Sequence, residues 1–370
     1  MSARAGGEEQ AETRETSRST SGSAAERPAG GEGEAGPVPS PPAGPGERGN
    51  GDARGGDRNP GTELDLDEVT RASANRSAIE KRADTLGRRR SVKQEWQAAW
   101  LLRAVTCLDL TSLKGDDTPG RVRRLCAKAR QPVRPDILRE LGVGNRDVRV
   151  GSVCVYGALV PAAVEALEGS DIPVAAVAAG FPGGLSPFPT RLEEIRRCVE
   201  AGAREIDVVI SRRKVLLGAW TELYDEVSAF REACGDAHLK VILATGELGT
   251  LRNVARASQV AMMAGADFIK TSTGMEAVNA TLPVGLVMAR AIRRYHDRTG
   301  HRVGFKPAGG IRTAKEALQW LYLIRDELGR PWLDRRWFRF GASSLLADLE
   351  RQLEHHVTGR YSAFHRHPMA

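Results

Sequence analysis

The pattern of apolar and polar positions divides the chain in two. Up to about residue 62 the chain is mostly Gly, Pro, Ser, Ala, Glu and Arg, with no isoleucine before Ile79 and no aromatic residue before Trp96. Such a segment buries too little apolar surface to offset the entropy of ordering it. The sequence therefore predicts a disordered tail over residues 1–90 and a folded domain over 91–370. From about residue 95, short apolar runs alternate with longer amphipathic stretches. The runs predict eight strands: Val105–Thr111, Val148–Tyr156, Val174–Phe181, Glu205–Ile210, His238–Thr245, Asp267–Thr273, Val303–Pro307 and Phe338–Ala342. The helical period predicts helices over Pro119–Ala129, Pro161–Leu167, Thr190–Ala201, Trp220–Cys234, Thr250–Ala264, Pro283–Thr299 and Ala314–Leu328. Strands alternating with helices over roughly 250 residues predict an α/β fold, a (β/α)8 TIM barrel. An open doubly wound sheet is the alternative, but no GxGxxG follows the first strand, which counts against its dinucleotide-binding form.

Charge and cysteine content narrow the function classes. The net charge is +7, but arginine is spread along the chain and no aromatic residues interleave with basic clusters. That pattern suits an anionic small-molecule substrate better than nucleic acid, and Arg88-Arg89-Arg90 reads as a solvated face. No run of 18 apolar residues occurs, so no membrane span is expected. The tail lacks the apolar core of a secretory signal and is too rich in Glu for a transit peptide. The five cysteines (Cys107, Cys126, Cys154, Cys198, Cys234) are odd in number and lack CxxC spacing, which suits reduced thiols in a cytoplasmic protein. His355 and His356 have no supporting Cys or carboxylate cluster and read as helix-end residues, so neither a metal nor another cofactor is expected.

The chemistry is carried by charges inside apolar strands. Lys270 ends the run Ala266-Asp267-Phe268-Ile269, and Lys306 ends Val303-Gly304-Phe305 one strand later. Lysine is seldom buried unless paired or used. Either alone would read as a side chain snorkelling from a strand end. Two on neighbouring barrel strands point to amine chemistry on a carbonyl. A free lysine has a pKa of about 10.4, so only about 0.04% is neutral at pH 7. Burial and a nearby cation, which Lys306 would supply, both favour the neutral nucleophile. Asp207, within Glu205-Ile206-Asp207-Val208-Val209-Ile210, reads equally as a proton shuttle and as half of a salt bridge with Lys240 on the next strand. In a barrel, Asp109, Lys270 and Lys306 would fall at the catalytic strand ends, with Asp207 and Lys240 deeper. Two later turns, Gly309-Gly310-Ile311-Arg312-Thr313 and Gly341-Ala342-Ser343-Ser344, each open a helix after the seventh and eighth strands. Helix N-termini with glycine and hydroxyl groups in these places suit a phosphate. Ordinary helix caps are the alternative reading.

With these residues assembled, the chain from about Trp96 to Ala370 resembles the deoxyribose-phosphate aldolases, in particular their longer animal branch. The resemblance rests on Asp109-Leu110-Thr111-Ser112-Leu113, Gly115-Asp116-Asp117-Thr118, Val153-Cys154-Val155-Tyr156, Ala178-Ala179-Gly180-Phe181-Pro182, the strand around Asp207, Leu239–Leu248, Phe268–Gly274, Val278-Asn279-Ala280-Thr281, Gly304–Thr313 and Phe340–Leu346. It implies a metal-free class I aldolase of deoxyribose breakdown, which cleaves 2-deoxy-D-ribose 5-phosphate reversibly to D-glyceraldehyde 3-phosphate and acetaldehyde. By resemblance, Lys270 is the imine-forming lysine, and Asp207 and Lys306 serve proton transfer and amine activation. Gly274, Gly309, Gly310, Arg312, Ser343 and Ser344 match the phosphate end, and Thr111, Cys154 and Thr273 line the pocket. The partners implied are the phosphosugar and acetaldehyde, with a homo-oligomer open. This chain departs from the family in carrying Met275 where a lysine often follows Ser-Thr-Gly, which implies weaker phosphate binding. Tyr361 is followed by nine residues and is given no active-site role. Two other readings stay open: a class I aldolase for another phosphosugar, and a barrel that binds without catalysis.

Overall fold

In the computed structural model, residues 58–88, 92 and 94–367 are described. Its eight strands are β1 (Leu108–Thr111), β2 (Ser152–Tyr156), β3 (Val174–Ala178), β4 (Glu205–Val209), β5 (His238–Ile242), β6 (Phe268–Lys270), β7 (Gly304–Lys306) and β8 (Phe340–Ala342). All pair in parallel, in the order β7-β6-β5-β4-β3-β2-β1-β8. Bridges Phe305–Phe338 and Ala308–Gly341 bring β7 to β8 and close the ring. The expected (β/α)8 barrel is the observed one.

Side chains alternate between the two faces of a strand, and that period sorts the barrel. Leu108 and Leu110, Val153 and Val155, Ile206 and Val208, Leu239 and Val241, Ile269, Phe305, and Phe340 and Ala342 point outward into one continuous apolar core beneath the helices. The alternate positions face the barrel axis. There the strands carry Asp109, Cys154, Ala175, Val177, Glu205, Asp207, Lys240, Lys270 and Lys306, all buried. The apolar layer outside supplies stability, so the inner face is free to hold charges. Glycine makes room for them. A Cβ on Gly341 would lie 2.7 Å from the Ala308 Cβ and 3.2 Å from the Lys306 Cε.

Three expectations need correction. First, β1 begins at Leu108, because Val105 and Thr106 complete the helix Gln94–Thr106. Asp109 is therefore the second of four residues in its strand, not at its C-terminal end. Second, residues 58–88 are not a tail. Leu66–Arg71 and Arg76–Arg88 are helices, and the second buries Ile79, Ala83 and Leu86 against the helices Leu282–Thr299 and Ala314–Glu327. Buried Asn59 pins the chain before them: its backbone N–H donates to Asp267, its amide donates to the Met262 and Ala266 carbonyls, and it accepts from Tyr295. The remainder of the predicted tail, residues 1–57, lies outside the described residues, as do 89–91. Third, the strands are shorter than their apolar runs: β1, β2 and β8 start later than expected, and after β4, β5, β6 and β7 the residues Ile210, 243–245, 271–273 and Pro307 stay buried past the strand end.

Beyond Tyr361, whose ring meets His355 edge to face, His367 returns to the helix Leu345–Thr358 and hydrogen-bonds Glu354 at 2.7 Å. Among the described residues no helix is long and apolar enough to cross a membrane.

Candidate active site

The inward charges form one connected network. The Asp207 carboxylate lies at its centre: Oδ1 accepts from Lys240 at 2.9 Å, and Oδ2 accepts from Lys270 at 2.8 Å and from Lys306 at 2.7 Å. Strand register explains the meeting. Asp207 is level with Lys240 across β4–β5, and Lys270 with Lys306 across β6–β7. The sequence-derived trio of Lys270, Asp207 and Lys306, with Lys240 behind it, is thus brought together. Both readings of Asp207 hold geometrically, since it is salt-bridged and within reach of the amine. Lys270 keeps 3% exposure where Lys240 and Lys306 have none, so it is the lysine nearest the mouth.

Two members were not picked out from the sequence. Glu205 accepts from Lys240 at 2.5 Å, and Arg339, the residue before β8, bridges Asp109 at 2.6 Å and Glu205 at 2.9 Å. Asp109 also holds Lys306 at 2.5 Å. The signal was present in the two-residue period that puts Glu205 on the same face as Asp207.

The electrostatics separate the lysines. Burial disfavours every ammonium here. For Lys240, Asp207, Glu205 and Asp109 overcome that cost and hold it above the ordinary lysine range, and Asp109 and Asp207 do the same for Lys306. Arg339 is likewise held above its usual range by Glu205 and Asp109 against the cost of burial. Lys270 goes the other way: burial lowers it, Asp207 only partly restores it, and neighbouring Lys306 lowers it further. Asp207 itself, despite burial, is held well below the usual carboxylate range by Lys240, Lys270 and Lys306.

Beside the charges lies a small apolar wall of Cys154, Ala175 and Val177, with Leu113, Tyr156 and Phe181 against it. Burial pushes the Cys154 thiol up, so it is not a thiolate at neutral pH. The Thr111 hydroxyl donates to the Asp109 carbonyl at 2.8 Å, and the Thr273 hydroxyl accepts from the Met275 N–H at 3.0 Å.

The residues matched to phosphate collect on the turns after β6, β7 and β8. A Cβ on Gly274 would sit 4.0 Å from the Gly309 Cα, and the Gly309 N–H reaches the Gly341 carbonyl at 3.4 Å. Gly309 and Gly310 have consecutive positive φ of +82° and +85°, a backbone that glycine adopts without strain. Arg312, Ser343 and Ser344 are exposed around them. Ser344 caps the 14-residue helix Leu345–Thr358 without a side-chain hydrogen bond, so its hydroxyl is not committed to the cap. Two glutamates already sit on neighbouring N–H groups. Glu276 accepts from Thr273 and Gly274 at 3.0–3.2 Å, and Glu316 accepts from Arg312 and Thr313 at 2.8 and 2.9 Å in a capping box. For Arg312 the helix-cap reading of the backbone therefore holds. Nothing in the sequence pattern marked Glu276. Among the described residues no group of three or more His, Cys, Asp or Glu could hold a metal ion.

A model of the DeoC/LacD family aldolases matches residues 104–350. The chain belongs to that aldolase family. Deoxyribose-phosphate aldolase of Mus musculus is 61% identical over 312 residues, covering 84% of this chain and 98% of that protein. The Homo sapiens deoxyribose-phosphate aldolase is 59% identical over 314 residues, covering 84% of this chain and 99% of that protein. The similarity thus reaches further than the stretch from Trp96 that carried the sequence resemblance, in keeping with the ordered helices before it. A crystal structure from Toxoplasma gondii ME49, 23% identical, superposes with a TM-score of 0.61 over 74% of this chain and 99% of that one, a likeness of fold.

Proposed function

We propose that this aldolase cleaves 2-deoxy-D-ribose 5-phosphate reversibly to D-glyceraldehyde 3-phosphate and acetaldehyde through an imine on Lys270, as a step of deoxynucleoside breakdown. The observation that carries the reading is the behaviour of Lys270. Of the buried cations it is the one whose ammonium is disfavoured, and it stands nearest the mouth. A neutral amine at the catalytic end of a barrel strand is what imine chemistry requires.

The neutral Lys270 nitrogen attacks the C1 aldehyde of the open-chain sugar. One proton is taken up, water leaves, and a protonated imine remains. As the nitrogen turns to substrate it stops donating to Asp207. That carboxylate, relieved of the Lys270 contact but still paired with the Lys240 and Lys306 ammonium groups, takes the C3 hydroxyl proton through a water. The C2–C3 electron pair moves into the iminium, glyceraldehyde 3-phosphate departs, and an enamine is left. The proton taken from the C3 hydroxyl is returned to C2, and hydrolysis by water releases acetaldehyde, the free amine and the proton taken up earlier. Lys306, held protonated by Asp109 and Asp207, keeps a positive charge beside the reacting nitrogen and favours its neutral form. Lys240 positions Asp207. The apolar wall of Cys154, Ala175 and Val177 would face the two-carbon fragment. The glycine turns with Ser343, Ser344 and Arg312 would hold the phosphate.

A coupled assay of glyceraldehyde 3-phosphate release across a phosphosugar panel tests the substrate. 2-Deoxyribose 5-phosphate should be cleaved with the highest kcat/KM. A better 2-hydroxylated phosphosugar would favour the alternative class I aldolase, and no cleavage of any would favour a binding role.

Two expected outcomes concern the anionic end. Met275 is 54% exposed beside Gly274 and offers the phosphate no charge. Met275→Lys should lower KM for the phosphorylated sugar about two- to fivefold, the range of an exposed ion pair. Glu276 occupies two N–H groups that an anion could take and repels it as well. Glu276→Gln should lower the same KM to a similar extent and leave cleavage of unphosphorylated 2-deoxyribose unchanged. An unchanged or raised KM in steady-state kinetics would refute either expectation.

A further inference from the structure

The inner-barrel network holds four cations (Lys240, Lys270, Lys306, Arg339) and three carboxylates (Asp109, Glu205, Asp207). Its connectivity is uneven. Arg339 bridges Asp109 and Glu205. Lys306 bridges Asp109 and Asp207. Lys240 touches Glu205 and Asp207, with Asp109 at 3.5 Å. Among the described residues Lys270 touches one carboxylate, Asp207. With every group ionised the network carries an excess positive charge in a site that excludes water, and such an excess is costly. Releasing one proton removes it, and the cation with a single anionic partner releases it most readily.

Glu205 and Arg339 are 5% exposed and lie beneath Lys240 and Asp109, on the side of the network away from Lys270. We infer that Glu205 and Arg339 are positioning residues that set the charge balance of the barrel core, so that Lys270 alone among its four cations is carried neutral. The inference rests on the imine reading above. Lys270 is faced by Asp207 from β4, Lys306 from β7 and the Cys154 thiol from β2, with Lys240 behind Asp207. Glu205 and Arg339 therefore act on it through Lys240, Asp109 and Lys306, not by contact.

The sign of each substitution follows. Arg339→Met leaves three lysines against three carboxylates, a core balanced with Lys270 protonated, so Lys270 should hold its proton to higher pH. Glu205→Gln leaves four cations against two carboxylates, so Lys270 should lose its proton at lower pH. The double variant restores the original excess of one. Arg339→Lys retains the charge.

The test is the pH dependence of imine formation in the full-length enzyme, mixed with 2-deoxyribose 5-phosphate, quenched with borohydride and assayed by mass for the Lys270 peptide. The rate should rise with pH as Lys270 becomes neutral. Its midpoint should move up by about one pH unit in Arg339→Met and down by about one in Glu205→Gln. It should return near wild type in the double variant and stay there in Arg339→Lys. If Arg339→Met does not fold, the Glu205→Gln shift and its reversal in the double variant decide the matter. Shifts of the same sign, or slower reaction with an unmoved midpoint, would mean a packing role and overturn the inference alone. No Lys270 adduct in the wild-type enzyme at any pH would overturn the imine reading and this inference with it.

Discussion

Replacing Lys270 with methionine is expected to abolish aldol cleavage, by about ten-thousand-fold or more, because it removes the atom that bonds to substrate. The barrel should not suffer. Methionine keeps the apolar stem of lysine in a site that is 3% exposed, and it leaves three cations against the three inner carboxylates. The inner charges are then balanced without any proton release. The urea midpoint of Lys270→Met should therefore be no lower than that of the wild-type protein, although Asp207 loses one of its partners. Steady-state kinetics and equilibrium unfolding of the same preparation check both halves. Activity within tenfold of wild type would remove Lys270 from the nucleophile's role.

Asp207→Asn is expected to fail in both respects. It removes the proton acceptor, so kcat should fall by about a thousandfold or more. It also removes the anion that Lys240, Lys270 and Lys306 share, within 2.9 Å of each. Breaking a buried ion pair from one side costs about 3–5 kcal/mol, since the partner charges stay behind uncompensated. The lower urea midpoint of Asp207→Asn, set beside the preserved midpoint of Lys270→Met, separates the hub of the network from its terminal member. Equal destabilisation by the two substitutions would contradict the connectivity described here.

These two positions also illustrate what the sequence made legible. Lys270, Lys306, Asp207 and Lys240 were visible because each is a charge set in an apolar run, and such a charge has a cost that calls for a partner. The strand order then followed from their spacing, since repeated strand–helix units fix which strands are neighbours. Glu205 opens its predicted strand, where a charge looks like the edge of a run, while Arg339 lies between Phe338 and Phe340 in the predicted eighth strand and was passed over. Only their facing, set by the two-residue period, ties them to the core. Strand ends were misjudged for a related reason. Val105 is as apolar as the strand beside it, yet it completes a helix that buries the same outer core. The helices at Leu66–Arg71 and Arg76–Arg88 were hidden by sparse apolar residues, with Val69 the one buried apolar side chain in the first and Ile79, Ala83 and Leu86 those in the second. Such helices are held by the barrel they dock on and by the Asn59 hydrogen bonds, not by their own composition. The Glu276 contact left no trace in the pattern, because a carboxylate two residues past a glycine turn reads as an ordinary loop residue.

Imine catalysis requires a covalent bond between substrate and the Lys270 nitrogen. Its most direct test is borohydride trapping of the full-length protein with 2-deoxyribose 5-phosphate in the presence of EDTA, followed by peptide mass mapping. A single stable adduct on Lys270, absent from Lys270→Met, is the expected result. A folded protein that yields no adduct, or one whose adduct maps to Lys306 or Lys240, would contradict it.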